Sequence, residues 1–359
     1  MIDINRLKEQ IKRNCNISDA KHWGFYSICG LLLRLRELYR SEHEVGLWEK
    51  LPQKEVGEWI FNREILWKQL ENEEYGDITI KNNTYKPFDI ENINTELKNE
   101  GLLYGAGLGI NLKPSFFLAE IMSQEKIGGY ECYITGHEYA RDLSNYPAML
   151  QDKTIFVRID PLKQLLWQRF EELRCKNTKS ALTYAFSRYG ISSEDLPSAD
   201  TERQISQIAT SEAETFIHHE IGEAFEEEII GSEWKEFLTY FPHTKAEIFV
   251  RSLKDMLSDT SDNGMLKYII ANQKEGSLGF YIVFLTGMRK VLFPEIIDAF
   301  NIFTEKCDWS YIDKARKLGY KKAMSYVERL LSKNQIYKNE KDLIAKYIED
   351  SILKKDFSL

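Results

Sequence analysis

The sequence predicts a mainly α fold, bundle-like, with a small antiparallel β-sheet inserted in its N-terminal half. Three observations carry this. Apolar residues return every three or four positions through long runs of good helix formers, the longest from Thr201 to Ile230. One block, about 77–135, alternates apolar and polar residues between turn-forming pairs instead. Strand and helix patterns do not alternate along the chain, so a doubly wound α/β repeat is not expected.

In chain order, Ile4 to Lys12 reads as a short amphipathic helix. Ser18-Asp19 is an N-cap signal, and a longer helix is expected from Ala20 to Glu42. Trp23, Phe25, Ile28, Leu31, Leu32, Leu35 and Leu38 make that helix apolar round most of its circumference, so it is expected at the centre of its domain. Its charges fall in one stripe, Arg34, Glu37 and Arg40, which reads as an internal ion-pair row or as an anion site. Gln53 to Leu70 is a further helix. Asp77 to Lys86 alternates about Asn82-Asn83 as a hairpin. A helix over 90–99 ends at Gly101, where a C-cap glycine belongs. Phe116 to Met122 and Tyr130 to Ile134 flank Gly128-Gly129 and are expected to pair. Helices resume at Pro161 to Cys175 and Thr178 to Tyr189. The polar, Gly-, Ser- and Pro-bearing stretch 191–200 reads as a linker between a mixed domain over 1–190 and an all-helical domain over 201–359. Within the second domain, Pro294 is expected to open a new helix after a break.

With 359 residues, 43% of them hydrophobic and 13% aromatic, the chain has enough apolar material for two cores. A net charge of −8 makes non-specific nucleic-acid binding unfavourable. The five cysteines form no Cys-x-x-Cys pair, which argues against a disulfide framework or a cysteine zinc site. The longest apolar run, about 278–288, is too short to span a bilayer, which takes about 20 residues. The first residues show no signal-peptide apolar region, so the cytoplasm is the expected location.

Chemistry concentrates in Glu212-Ala-Glu-Thr-Phe-Ile-His-His-Glu-Ile-Gly-Glu223. On a helical wheel Ile217, Ile221, Ala224 and Phe225 share the apolar face. His218 lies at its edge, one turn after Glu214, and the pair is expected to supply two metal ligands. His219 and Glu223, also at i,i+4, fall on the opposite and wetter face, as an acid/base pair or alternative ligands. The spacing is neither His-Glu-x-x-His nor Glu-x-x-His. The plainer reading is a solvated acidic face: from Glu212 to Glu236 there are nine glutamates against one lysine. Acidic neighbours are expected to raise the pKa of both histidines, which makes a simple ion pair the rival to a metal.

A second cluster, Gly136-His-Glu-Tyr-Ala-Arg-Asp142, is expected at a strand-to-helix junction, with His137 and Glu138 as further metal ligands and Glu138–Arg141 as the plainer ion pair. Gly105-Ala-Gly-Leu-Gly109 lacks the Lys-Ser/Thr of a phosphate loop and reads better as close backbone packing in a strand. There is no Gly-x-Ser-x-Gly. Lys113-Pro-Ser-Phe-Phe-Leu-Ala-Glu120, Gly136-His-Glu-Tyr-Ala-Arg-Asp-Leu143, Pro147-Ala-Met149 and His218-His-Glu-Ile-Gly-Glu223 together resemble a group of uncharacterised bacterial proteins. The resemblance implies a two-part organisation and assigns no residue a role.

The functional expectation is a metal-dependent enzyme, of oxidase or hydrolase type, acting on an unidentified small molecule. Imidazole and carboxylate ligands suit zinc, iron or manganese. The alternative is a non-enzymatic protein-interaction module whose acidic helix meets a basic partner.

Overall fold

A computed structural model of the chain describes residues 2–109, 112–175, 180–242 and 244–357. The chain forms two compact units. The first is Met1–Glu172 with Glu194–Ala213, and the second is Leu173–Ser193 with Glu214–Leu359. The family of elements is mostly helical, with its sheet in the N-terminal half.

In the first unit, α1 (Ile4–His22) starts at Asp3, whose side chain caps the Arg6 amide. A short turn over Trp23–Phe25 leads to α2 (Ile28–His43), capped by Ser27. The single long helix expected from Ala20 is thus broken before Ile28. Nor is α2 central along its whole length. Leu35, Leu38 and Tyr39 are buried, but Ile28, Leu32 and Leu33 are exposed, as are Trp23 and Phe25 just before them. The stripe of charges is structural: Arg40 hydrogen-bonds the carbonyls of Gly46 and Glu49 and lies 3.9 Å from Glu37, holding the loop after α2. Next come α3 (Gln53–Leu70), the hairpin β1 (Ile78–Ile80) and β2 (Asn83–Tyr85), and α4 (Ile90–Leu97).

The larger sheet is β3 (Leu102–Leu108), β4 (Pro114–Ile127), β5 (Tyr130–Arg141), β6 (Ala148–Gln151) and β7 (Thr154–Arg158), in the order β3-β4-β5-β7-β6. Gly128 and Gly129 both take positive φ, which a tight hairpin between β4 and β5 requires. The expectation of a small, antiparallel sheet ending near 135 is corrected on two points. The sheet continues to Arg158, and β7 runs parallel to β5. Residues 136–141 are therefore strand, not a strand-to-helix junction. Glu138 and Arg141 point inward and hide the apolar–polar alternation that announces a strand. One face of the sheet packs Tyr104, Phe116 and Leu118 against Leu7 and Ile11 of α1 and Ile93 and Leu97 of α4. The other gathers Leu103, Phe117, Tyr133 and Phe156. Gly105 fits because any Cβ there would collide with the Phe117 ring.

After β7 the chain is helical. It runs through α5 (Ile159–Cys175), α6 (Ala181–Ser187), α7 (Ala199–Ile230), α8 (Ser232–Phe237), α9 (Lys245–Thr260), α10 (Met265–Ala271), α11 (Glu275–Phe284), α12 (Gly287–Leu292), α13 (Pro294–Lys306), α14 (Trp309–Ile336) and α15 (Lys341–Tyr347), then a π turn over 348–353 and a last short turn. The start of the helix expected from Thr178 lies outside the described residues. Pro294 opens α13, as its fixed φ and missing N–H favour. The second unit's core joins Trp234, Phe237, Phe249, Leu253, Phe293, Phe303 and Leu330. No helix among the described residues is long and apolar enough to cross a membrane.

Candidate metal centre

The candidate site lies within the second unit, where α7 and α9 touch. Their contact is close because position 222 is glycine: a Cβ there would stand 2.4 Å from the Ser258 carbonyl oxygen. The Ser258 hydroxyl hydrogen-bonds the His219 carbonyl across the same contact. Each helix then presents an i,i+4 pair to the other, His219 and Glu223 from α7, Asp255 and Asp259 from α9.

The geometry is specific. His219 Nδ1 lies 2.7 Å from Asp259 Oδ1, and Nε2 lies 3.4 Å from Glu223 Oε1. Ligand atoms of His219, Glu223 and Asp255 all fall within 4.8 Å of one another. Lys254 Nζ sits 2.6 Å from the other oxygen of Glu223. Arg289 of α12 places Nη2 2.8 Å from Asp259 Oδ2 and Nη1 3.7 Å from Asp255 Oδ2. The Asp259 side chain is 1% exposed, whereas Asp255 and Arg289 are more than a quarter exposed, so the cluster is open on that side.

Burial works against the charged form of His219, but Asp259 and then Glu223 outweigh it and hold its pKa well above the usual value. Burial likewise works to raise Glu223, yet Lys254 and His219 bring it down to about 2. Burial, reinforced by the Glu223 carboxylate, pushes Glu220 up to about 7. Asp255 is also raised, by burial first. Four carboxylates (Glu220, Glu223, Asp255, Asp259) thus neighbour two fixed cations, Lys254 and Arg289.

The expected solvated face of α7 is corrected here. Glu212, Glu220 and Glu226 are buried, and Glu226 accepts a hydrogen bond from Tyr320 of α14. The helix has neighbours on the side opposite Ile217 and Ile221 as well.

The other expected ligands do not join this centre. His218 stacks on Tyr268 with ring centroids 4.2 Å apart, and its Nδ1 lies 3.4 Å from the Asn263 carbonyl oxygen. Glu214 is exposed and accepts from the Tyr268 hydroxyl. Burial lowers the His218 pKa, against the expectation that acidic neighbours raise it. In the first unit, His137 and Glu138 are successive residues of β5 and so face opposite sides of the sheet. Glu138 is buried with Arg158 Nε 2.5 Å away and Arg141 at 3.7 Å. His137 is half exposed, 3.9 Å from Asp160, beside a cavity of about 450 Å³. They cannot serve one ion together. His22 and His43 are tied to the carbonyls of Ser18 and Tyr39, and His243 lies outside the described residues.

Asp255 and Asp259 escaped the sequence reading, although their i,i+4 spacing in Lys254-Asp-Met-Leu-Ser-Asp259 was the available signal. The first unit holds a second buried charge cluster, in which Lys113 meets Asp19 at 3.0 Å, Asp142 at 3.4 Å and the Ser144 hydroxyl at 3.0 Å. Both acids also accept backbone amides, from Leu143 and Phe116. That network is complete in itself and reads as structural.

Residues 6–158 match the N-terminal domain, and residues 163–351 the C-terminal domain, of a family of unknown function (DUF6866). The chain belongs to that family, whose two-domain description agrees with the resemblance drawn from the motifs. No curated protein and no solved structure matches it.

Proposed function

We propose that the protein is a divalent-metal-dependent hydrolase whose metal is held by His219 Nε2, Glu223 and Asp255. The observation that supports this most is the pair of crossed helices, each offering two donors at i,i+4, with Asp259 on the far ring nitrogen of His219. A ligating histidine characteristically gives its other N–H to a carboxylate, which fixes the ring and strengthens the ligand. Three protein ligands leave a coordination position for water, and the metal supplies a hydroxide at neutral pH. Among the described residues one group of three has this ligand geometry, the donor count of a single-ion centre. This favours hydrolysis over the two-metal oxidase chemistry that needs ligands in duplicate. Imidazole with two carboxylates suits zinc, manganese or ferrous iron.

A second reading has its own support. Lys254 and Arg289 already pair with Glu223 and Asp259, so a protonated His219 completes an ion-pair network with no metal, in a protein-interaction module without chemistry. Elemental analysis of protein purified without chelator, together with calorimetric titration of Zn²⁺ and Mn²⁺, separates the two. The metal reading expects about one ion per chain. His219→Ala abolishes binding and His218→Ala retains it. A wild-type chain that binds neither ion leaves the ion-pair reading standing.

A further inference from the structure

The first unit carries an apolar surface that the fold leaves uncovered. Trp23 and Phe25 stand on the turn before α2, and Ile28, Leu32 and Leu33 on its first two turns. All five are between 45% and 80% exposed, Ile28 the most. Ile28 and Leu32 are one turn apart and Leu33 adjoins Leu32, so the three share one side of the helix. The other side is fixed to the unit's own core. Leu35 and Leu38 are buried with Trp67 and Leu143, and Arg34 donates to the Leu143 carbonyl at 2.9 Å. A run of large apolar side chains held rigidly in solvent marks a surface that meets something.

The charge around this surface has one sign. From Ala20 to Arg36 the sequence has Lys21, Arg34 and Arg36 and neither Asp nor Glu, in a chain whose net charge is −8. Lys21 and Arg36 are exposed. Arg36 follows Leu32 by one turn, so a cation extends the apolar row, and it has no hydrogen bond or ion pair among the described residues. The acids at the two ends of the stretch are committed elsewhere, Asp19 to Lys113 and Glu37 to Arg40. We propose that this face docks reversibly on an anionic lipid surface. Trp23, Phe25, Ile28, Leu32 and Leu33 enter the boundary between headgroups and acyl chains, and Lys21 and Arg36 meet the lipid phosphates. Interfacial helices combine these two signals, Trp, Phe and Leu on the buried side with Lys or Arg around them. Indole rings and basic side chains both settle at headgroup level. The attachment is peripheral, because the remaining sides of α2 are engaged by the unit itself. A second copy of the chain is the poorer occupant: a two-fold contact sets this surface against itself, one basic rim against another with no acid to answer it.

The test is sedimentation of the full chain with lipid vesicles. Phosphatidylcholine vesicles are compared with vesicles in which about a third of the lipid is phosphatidylglycerol. The anionic vesicles are expected to bind about tenfold more tightly, and to lose most of that advantage at about 0.5 M salt. Leu32→Gln combined with Leu33→Gln is expected to weaken binding to them about tenfold. The melting temperature should not fall, because both side chains already stand in solvent. Arg36→Glu is expected to remove much of the preference for anionic lipid. Ile336→Gln is the control: its side chain is 60% exposed on α14, outside this face, and the variant is expected to bind as wild type does. A chain that stays in the supernatant with anionic vesicles overturns the proposal, as does binding indifferent to the Leu32 and Leu33 changes or equally weakened by Ile336→Gln. A dimer on size exclusion that the two leucine changes dissolve assigns the face to a second copy, and overturns it too.

Discussion

His219 is where pH and metal compete for the same nitrogen. In the metal-free protein its folded pKa lies well above 6.5, so the stability it contributes is full below that value and is lost as pH rises through the folded pKa. Glu220 acts in the same direction. Its pKa of about 7 means that the folded state holds a proton the unfolded state has released above 4.5, so stability falls across that window as pH rises. Glu223, at about 2, keeps its contribution throughout, losing it only as pH falls below 4.5. A metal at Nε2 displaces the His219 proton, so affinity for Mn²⁺ is expected to climb about tenfold per pH unit until the His219 pKa is passed. Melting curves between about pH 5 and about pH 9 therefore diverge, metal-free protein weakening as pH rises and loaded protein strengthening. Parallel curves would remove His219 from the ligand set. Wheel geometry could locate this chemistry only in part. It pointed to the helix that carries the His219 cluster and to the i,i+4 logic, then favoured His218 because Ile217 and Ile221 marked one face as core. A single helix carries no sign that a second helix covers its other face, and Asp259, on α9, decides which imidazole is held.

At the scale of elements, the centre depends on how closely α7 approaches α9. Gly222→Ala puts a methyl group 2.4 Å from the Ser258 carbonyl oxygen, a backbone atom that cannot swing aside. The helices must part, at a cost of about 1–3 kcal/mol, and the His219–Asp259 and Glu223–Lys254 pairs part with them. Gly57→Ala is the control, since nothing lies within 4 Å of its Cβ position in α3, and there alanine is expected to add about 0.5–1 kcal/mol of stability. Thermal melts and Mn²⁺ titration of both variants check this: the first loses stability and at least tenfold in metal affinity, the second loses neither. Equal behaviour would mean that the close contact does not position the ligands. Elements were legible wherever local signals sufficed, as in the Gly128-Gly129 hairpin and the Pro294 helix start. They were not legible in β5, where Glu138 turns inward to meet Arg158, 20 residues further along the chain, and Arg141 turns inward to meet Glu138 and Gln164. Charge reads as surface until its partner is known.

Across the whole molecule, the two units do not divide the chain in one place. Residues 173–193 belong to the second unit and 194–213 return to the first, so the polar stretch 191–200 contains one of three crossings, and the family's two domains meet earlier, between 158 and 163. Loop composition marks flexibility of sequence, not which core a following helix fills, and only tertiary burial shows that Ile205, Ile208 and Ala209 serve the first unit. Glu202 serves it too, accepting the Leu47 amide at 3.1 Å and pairing with Lys163 at 3.5 Å. A fragment of residues 1–190 therefore lacks part of its own core, while 1–213 retains it. Burial of the two isoleucines contributes about 3–6 kcal/mol, enough to separate the fragments' melting temperatures by roughly 10 °C. The longer fragment is expected to melt cooperatively at the higher temperature, and Ile205→Ala within it to recover a large part of the difference. If the two fragments melt alike, the helix segment before Ala213 adds nothing to the first unit, and the chain divides once, near residue 190, instead of three times.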